Sequence, residues 1–315
     1  MAKTKSEYRC SECGWSTAKW VGQCSSCQAW GTVSETASVT KAKPAQISSA
    51  RAARPITDIE VSGEGHYPTG VQEFDRVLGG GLVPGAVVLL SGEPGVGKST
   101  LLLEVAARLA KGGKRVLYVS AEESASQVKL RATRTGALSE NLFLATETDL
   151  SSVLGQIAQV EPELIVVDSV QTVSSLDLDG VAGMPAQVRE VASNLIRVAK
   201  ESSTPLVLVG HVTKDGSIAG PRTLEHLVDV VCHFEGDRQT SLRFIRTLKN
   251  RFGPTDEVGC FEMSGEGIIE VPDPSALFVS EQQTNVSGTC ITITVEGRRA
   301  LRAQIQALVV KSGSP

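Results

Sequence analysis

No run of about 18 apolar residues occurs in this 315-residue chain, which excludes a membrane-spanning helix. Residues 1–9 are polar and lack an apolar core, so no secretory signal is legible. No internal repeat is found, which excludes a solenoid or a propeller array. Strong basicity is missing too: the net charge is −4. Overall charge therefore gives no argument for nucleic-acid binding, although a local basic channel would suffice for it. The balance is uneven. Residues 1–55 hold eight Lys or Arg against three Asp or Glu, a balance of +5 that leaves −9 for the remainder. These absences predict a cytoplasmic protein without membrane attachment, in a reducing setting where cysteine binds metal more often than it pairs.

What is present begins with GEPGVGKS, residues 92–99, which fits G-x-x-x-x-G-K-[ST] without a mismatch. Its surroundings suit a phosphate-binding loop. Residues 86–91 are a short apolar run that reads as a buried strand, and 100–111 read as a helix. A strand, a glycine turn and a helix N-terminus aim a nest of backbone N–H groups at phosphate oxygens. Gly92, Glu93, Pro94, Gly95, Val96, Gly97, Lys98, Ser99 and Thr100 are the expected nucleotide-binding residues. Lys98 would reach the β- and γ-phosphates, and Ser99 would ligate Mg²⁺.

Around this loop, strand and helix patterns alternate. Strands are expected at 115–120, 142–145, 164–168 and 206–210, and helices at 124–134, 150–160 and 185–200. Continuous apolar strands between amphipathic helices predict an α/β fold, a largely parallel sheet covered on both faces. From 228 the runs shorten (228–234, 241–248, 259–263, 268–271), which predicts an antiparallel extension. Residues 288–295 alternate, 296–297 signal a turn and 300–310 follow, which reads as a hairpin. The expected boundaries are a metal module at 1–31, a flexible linker rich in Ser, Thr, Ala and Lys at 32–55, the main domain at 56–271, and a distinct piece at 272–315.

The first module holds all three tryptophans and four of the seven cysteines. Cys10-x2-Cys13 and Cys24-x2-Cys27 supply four thiolates at the spacing of a closed structural Zn²⁺ site. No catalysis is expected at a metal whose ligands all come from protein. Trp15, Trp20 and Trp30 either pack its small core or offer rings to bases and partners; the core reading is preferred. Cys232, Cys260 and Cys290 lie in strand-like runs and read as small buried hydrophobes.

A phosphate loop needs an acidic strand end beside it. LIVVD at 164–168 ends in Asp168, placed to hold the Mg²⁺ shell. The water-activating group is expected among Glu122 and Glu123, just past a strand's C-terminal end, where ligands sit in open α/β sheets. Glu122 is preferred, the other being a solvated helix-start carboxylate. His211 follows another such strand; it would sense the γ-phosphate or satisfy a loop carbonyl. Lys249 and Arg251 sit two residues apart at a strand end, facing one way, and suit phosphates, those of a neighbouring subunit included.

Taken together, the cysteine module, the lead-in TGVQEFDRVLGGG at 69–81, GEPGVGKST, and KNRFG at 249–253 resemble the bacterial RadA (Sms) family of DNA repair proteins. The resemblance runs from Tyr8 to about residue 310. It implies a RecA-like P-loop ATPase core, a four-cysteine zinc ribbon, and the opening of an α+β domain similar to Lon protease from about 272. It implies ATP, Mg²⁺ and Zn²⁺ as cofactors, a homohexameric ring, single-stranded and branched DNA as ligands, and branch migration with RecA. It assigns Lys98, Glu122, Asp168, Lys249 and Arg251 to catalysis, the last two acting on the adjacent subunit's ATP. It makes 170–183 and 211–222 DNA-facing loops, with Lys214 and Arg222 as their cations. Another class of function stays open: an ATP-switched adaptor whose zinc module binds protein partners without translocating DNA.

Overall fold

The computed structural model describes residues 7–36, 53–58, 65–211, 222–236, 241–274, 287–307 and 309. The chain divides into two compact units, 1–61 and 62–315.

In the first unit, β1 (Glu7–Cys10), β2 (Ser16–Thr17) and β3 (Val33–Thr36) form an antiparallel sheet in the order β2-β1-β3. Its core is minute: Cys10, Cys24 and Val33, with Tyr8, Trp15 and Val21 packed against them. Two expectations change here. The module does not end at 31, because β3 pairs with β1 from Glu7↔Thr36 to Cys10↔Val33; the mostly polar residues 33–36 are held by ladder hydrogen bonds that composition does not reveal. Nor do the tryptophans fill the core: Trp15 packs on it, whereas Trp20 and Trp30 are 64% and 75% exposed. The metal knuckles leave too little interior to cover three indoles.

The second unit opens with α1 (Gln72–Leu78), and then β4 (Val87–Gly92), α2 (Lys98–Lys111), β5 (Val116–Ser120), α3 (Ala125–Arg134), β6 (Leu142–Ala145), α4 (Leu150–Val160), β7 (Leu164–Asp168), α5 (Pro185–Ser202), β8 (Leu206–His211), α6 (Arg222–Glu225) and β9 (Val230–Gly236) follow in turn. Helix starts follow local chemistry. Ser124 and Gln127 close a reciprocal capping box on α3, Asp149 caps α4, and Pro185 opens α5. Three antiparallel strands complete the sheet: β10 (Leu242–Asn250), β11 (Val258–Ser264) and β12 (Gly267–Glu270).

The nine strands lie in the order β12-β11-β10-β9-β4-β8-β7-β5-β6. The expected antiparallel extension begins one strand late. β9 runs parallel to β4, Val88↔Val230 to Gly92↔Phe234, and the direction reverses only at β10. An apolar run looks the same in either direction. Alternate residues feed two cores: Val88 and Leu90 face α1 and α2, while Val87 and Leu89 face α4 and α5. The chain leaves β4 through α2 and re-enters the sheet at β5, beyond β8 and β7. That reversal opens a crevice at the C-terminal strand ends.

Finally, β13 (Thr289–Glu296) and β14 (Arg299–Gln306) form the expected hairpin as a separate two-stranded sheet. Just past its turn, Nη2 of Arg299 donates to both carboxylate oxygens of buried Glu73 of α1, at 2.8 and 2.7 Å. Cys290 lies on this hairpin and is exposed, unlike buried Cys232 and Cys260. Two strands alone cannot cover it.

Candidate nucleotide site and metal ribbon

The phosphate loop links the end of β4 to the start of α2, as the spacing predicts. Gly92 is required by contact: a Cβ there would stand 2.2 Å from the Phe234 carbonyl oxygen of β9. Gly97 caps α2 at φ 110, in the left-handed region, with the Met263 sulfur against it. Lys98 is 4% exposed, and its Nζ donates to the carbonyls of Gly92 and Glu93 at 2.9 Å each. Burial lowers its pKa to about 8, against the pull of Asp168 and Glu122.

Asp168 ends β7 level with Ser120 of β5. Its Oδ2 accepts a 2.7 Å hydrogen bond from the buried hydroxyl of Tyr118. Glu122 follows β5. Its Oε1 accepts from His211 Nε2 at 3.0 Å and from Ser169 Oγ at 2.6 Å. The His211 hydrogen bond, helped by Ser169 and opposed by partial burial, holds the Glu122 carboxyl down to about 2. Glu123 is paired with Arg131 of α3 instead. His211 is not left to a loop carbonyl: its backbone exchanges two 2.9 Å hydrogen bonds with the Gln171 amide, and its ring reaches Glu122. A cavity of about 350 Å³ unites Lys98, Ser99, Glu122, Asp168, His211 and Met263. A larger cavity, about 800 Å³, lies at the opposite sheet edge between α4 and α5, beside Tyr67; its lining carries none of these groups.

Lys249 and Arg251 are not brought to this cavity. Asn250 pairs with Val230, whereas Phe234 pairs with Gly92. Four residues of strand, at about 3.3 Å each, separate the two ends. Lys249 Nζ donates to the carbonyls of Glu225 and Val228 at 2.7 and 2.8 Å, and Arg251 Nη1 to Asp229 at 2.9 Å. Lys214 lies outside the described residues; Arg222 begins α6, and its side chain is not described either. In the loop 170–183, Gln187 pins the backbone of Ser175, Leu178 and Gly180, while Leu176 and Val181 stand exposed.

Sequence reasoning missed Tyr118, Ser169, Arg131 and Gln171. Ser169 stands next to Asp168, an expected ligand, and Gln171 lies in the loop that follows it. Tyr118 gives no signal because its partner, Asp168, comes from another strand, and Arg131 reads as an ordinary helix cation although its partner, Glu123, lies just before its own helix.

In the ribbon, the Sγ atoms of Cys10, Cys13, Cys24 and Cys27 all lie within 4.8 Å of one another, with closest pairs at 3.5 and 3.7 Å. Four sulfurs at about 2.3 Å from a tetrahedral Zn²⁺ stand about 3.8 Å apart, so the cluster fits the ion. A hydrogen bond from Thr32 lowers the Cys10 thiol to about 6. Cys27, despite the Ala29 amide, goes up to about 12 through burial and the neighbouring thiols.

Such a fold and site define a P-loop ATPase with a RecA/KaiC-like fold and a zinc ribbon, with ATP, Mg²⁺ and Zn²⁺ as its cofactors. Residues 65–217 match the AAA domain model, and 8–35 match the rubredoxin metal binding domain. Two solved structures share the fold. One is a KaiC-like protein from Pyrococcus horikoshii, with a TM-score of 0.54 and 20% identity over 66% of this chain and 99% of that one. The other is an isolated ATPase domain, with a TM-score of 0.56 and 14% identity over 67% of this chain and 94% of that one. Whole-chain relatives are more specific. DNA repair protein RadA of Mycolicibacterium smegmatis is 53% identical over all of this chain and 70% of its own length. RadA of Bacillus subtilis is 46% identical over 98% of this chain and 69% of its own. The chain belongs to the RadA family of DNA repair proteins.

Proposed function

We propose that this chain is a DNA-dependent ATPase and helicase-type motor of recombinational repair, working as a cytoplasmic homohexameric ring on single-stranded and branched DNA and promoting branch migration with RecA. The observation that carries the reading is the split of the chemistry between two sheet edges. Lys98, Glu122 and Asp168 converge at one, and Lys249 and Arg251 sit at the other. Within one subunit the two groups cannot meet. A head-to-tail ring sets one edge against the next subunit's other edge.

Each residue then has a role. Lys98 leaves the loop carbonyls that hold it and takes the β- and γ-phosphates, guided by loop N–H groups. Ser99 and Asp168 would hold Mg²⁺, which supplies neutralising charge to the phosphates. Glu122, kept ionised by His211 and Ser169, orients the attacking water. Lys249 and Arg251 of the adjacent subunit stabilise charge on the transferring phosphoryl group. His211, the last residue of β8, reaches Glu122 and opens the segment 211–222 that this reading makes DNA-facing. Lys214 and Arg222 are the cations proposed there. The family name of the relatives supports DNA as the ligand.

The test is ATP turnover with and without single-stranded DNA, across a salt series. The motor reading expects stimulation and a steep loss of DNA affinity with salt. The exposed indoles of Trp20 and Trp30 favour a second reading, a partner-binding adaptor. That reading expects turnover indifferent to DNA.

A further inference from the structure

Asp229 joins α6 to β9 and is 2% exposed. Three donors converge on its carboxylate. Oδ1 accepts Arg251 Nη1 at 2.9 Å; Oδ2 accepts Lys200 Nζ at 2.9 Å and the Val87 amide at 3.1 Å. The backbone repeats the link: the Asp229 amide donates to Val87 O at 3.0 Å, and the Arg251 amide to Asp229 O at 3.2 Å. A carboxylate this deeply buried needs its oxygens matched by donors, and two of these three are charged. Val87 begins β4, whose last residue, Gly92, opens the phosphate loop. The Arg251 side chain remains 54% exposed, so one edge of its guanidinium is fixed while the rest faces solvent. Lys249 is tied to the same short segment through Glu225 O and Val228 O.

We propose that Asp229 is a positioning residue for the in-trans cations: it fixes the Arg251 guanidinium on the start of β4, ready for the neighbouring subunit's nucleotide. The inference rests on the in-trans reading of Lys249 and Arg251 above. A free arginine must give up rotamer freedom at each turnover. One already clamped stabilises developing charge without reorganising. The clamp also joins one nucleotide site to the next, because β4 carries the phosphate loop at one end and the Asp229 contact at the other.

The test is a double-mutant cycle on single-turnover ATP hydrolysis in the assembled full chain. Asp229→Asn should slow hydrolysis by about 10-fold or more, while affinity for ATP–Mg²⁺ changes by less than about twofold. Added to Arg251→Ala it should slow nothing further, because both act through one guanidinium. A wild-type rate in Asp229→Asn overturns the proposal. So does a double variant slower than Arg251→Ala by the full Asp229→Asn factor, since that marks a general structural role. A wild-type rate in Arg251→Ala alone defeats the in-trans reading instead. Should Asp229→Asn not fold, the cycle is read with Asp229→Glu, which keeps the buried charge but moves it by one methylene; there too slowing supports the proposal and a wild-type rate overturns it.

Discussion

The hydroxyl of Tyr118, buried in β5, donates a 2.7 Å hydrogen bond to Oδ2 of Asp168 at the end of β7. The bond leaves Oδ1 as the free carboxylate edge and fixes the plane of the group. Partners behind a metal-binding side chain tune its affinity about 10–100-fold. Tyr118→Phe should therefore weaken Mg²⁺-dependent ATP binding by about 10-fold with little loss of fold, since only the oxygen is removed. Titration of Mg²⁺ against a fluorescent ATP analogue measures it; an unchanged midpoint would remove Tyr118 from the account.

Glu122→Gln should lower turnover by about 10²–10⁴ and leave ATP binding intact. Its pKa adds a stability signature. The folded-state value is depressed to about 2 from the usual 4.5, so Glu122 stabilises the fold above pH 4.5, and that contribution is lost as pH falls from 4.5 towards 2. Denaturant melts of wild type and variant should differ at about pH 6 and converge at low pH. Equal melts throughout would show that His211 and Ser169 do not favour the ionised form.

Lys98 should take up a proton when ATP binds. Burial holds its pKa down to about 8, and the oxygens of a bound phosphate would raise it. At about pH 8 binding should therefore draw in about half a proton. Calorimetry in two buffers of different ionisation enthalpy reads this directly, and a binding heat independent of buffer would contradict it. The same shift makes the nucleotide-free fold gain stability as pH rises from about 8 towards 10.5.

Removing zinc should unfold the ribbon alone. Its core is three buried residues, so metal binding supplies its folding free energy, on the order of 10–16 kcal/mol. A chelator, or Cys13→Ser, should abolish the ribbon's near-ultraviolet signal from Trp15 while the melt of the ATPase core stays in place. A ribbon signal that survives chelation would mean the four thiols are structural without metal.

Arg299→Ala should destabilise the core by about 1–3 kcal/mol, because buried Glu73 then keeps only the Cys260 amide and a longer, 3.4 Å contact with Arg76 Nε. Glu73 is 1% exposed and anchors both Arg299 and the Cys260 amide. Urea denaturation measures the loss. A change under about 1 kcal/mol would show the pair to be dispensable.

Much of this was legible in the sequence, for identifiable reasons. GEPGVGKS and LIVVD each combine a local pattern with local chemistry, and the structure sets both at one strand edge. The paired C-x2-C knuckles lie within reach of one ion. Contacts made between distant segments were not legible. The direction of β9, the third ribbon strand at Val33–Thr36 and the Tyr118–Asp168 bond depend on which strands become neighbours. Sequence favours Trp20 and Trp30 as core residues, but a ribbon this small has no room for them. The Asp229 clamp has no sequence signature, because a lone aspartate before a strand resembles any turn residue.

The central claim is that each nucleotide site is built from two subunits. Lys98→Ala breaks one half of it and Arg251→Ala the other, and each variant alone should be nearly inactive. Mixed in equal amounts and reassembled, they should regain about a quarter of the wild-type turnover, the fraction of head-to-tail interfaces that pair an intact loop with an intact arginine. A mixture no more active than either variant alone would place the whole reaction within a single subunit and contradict the account.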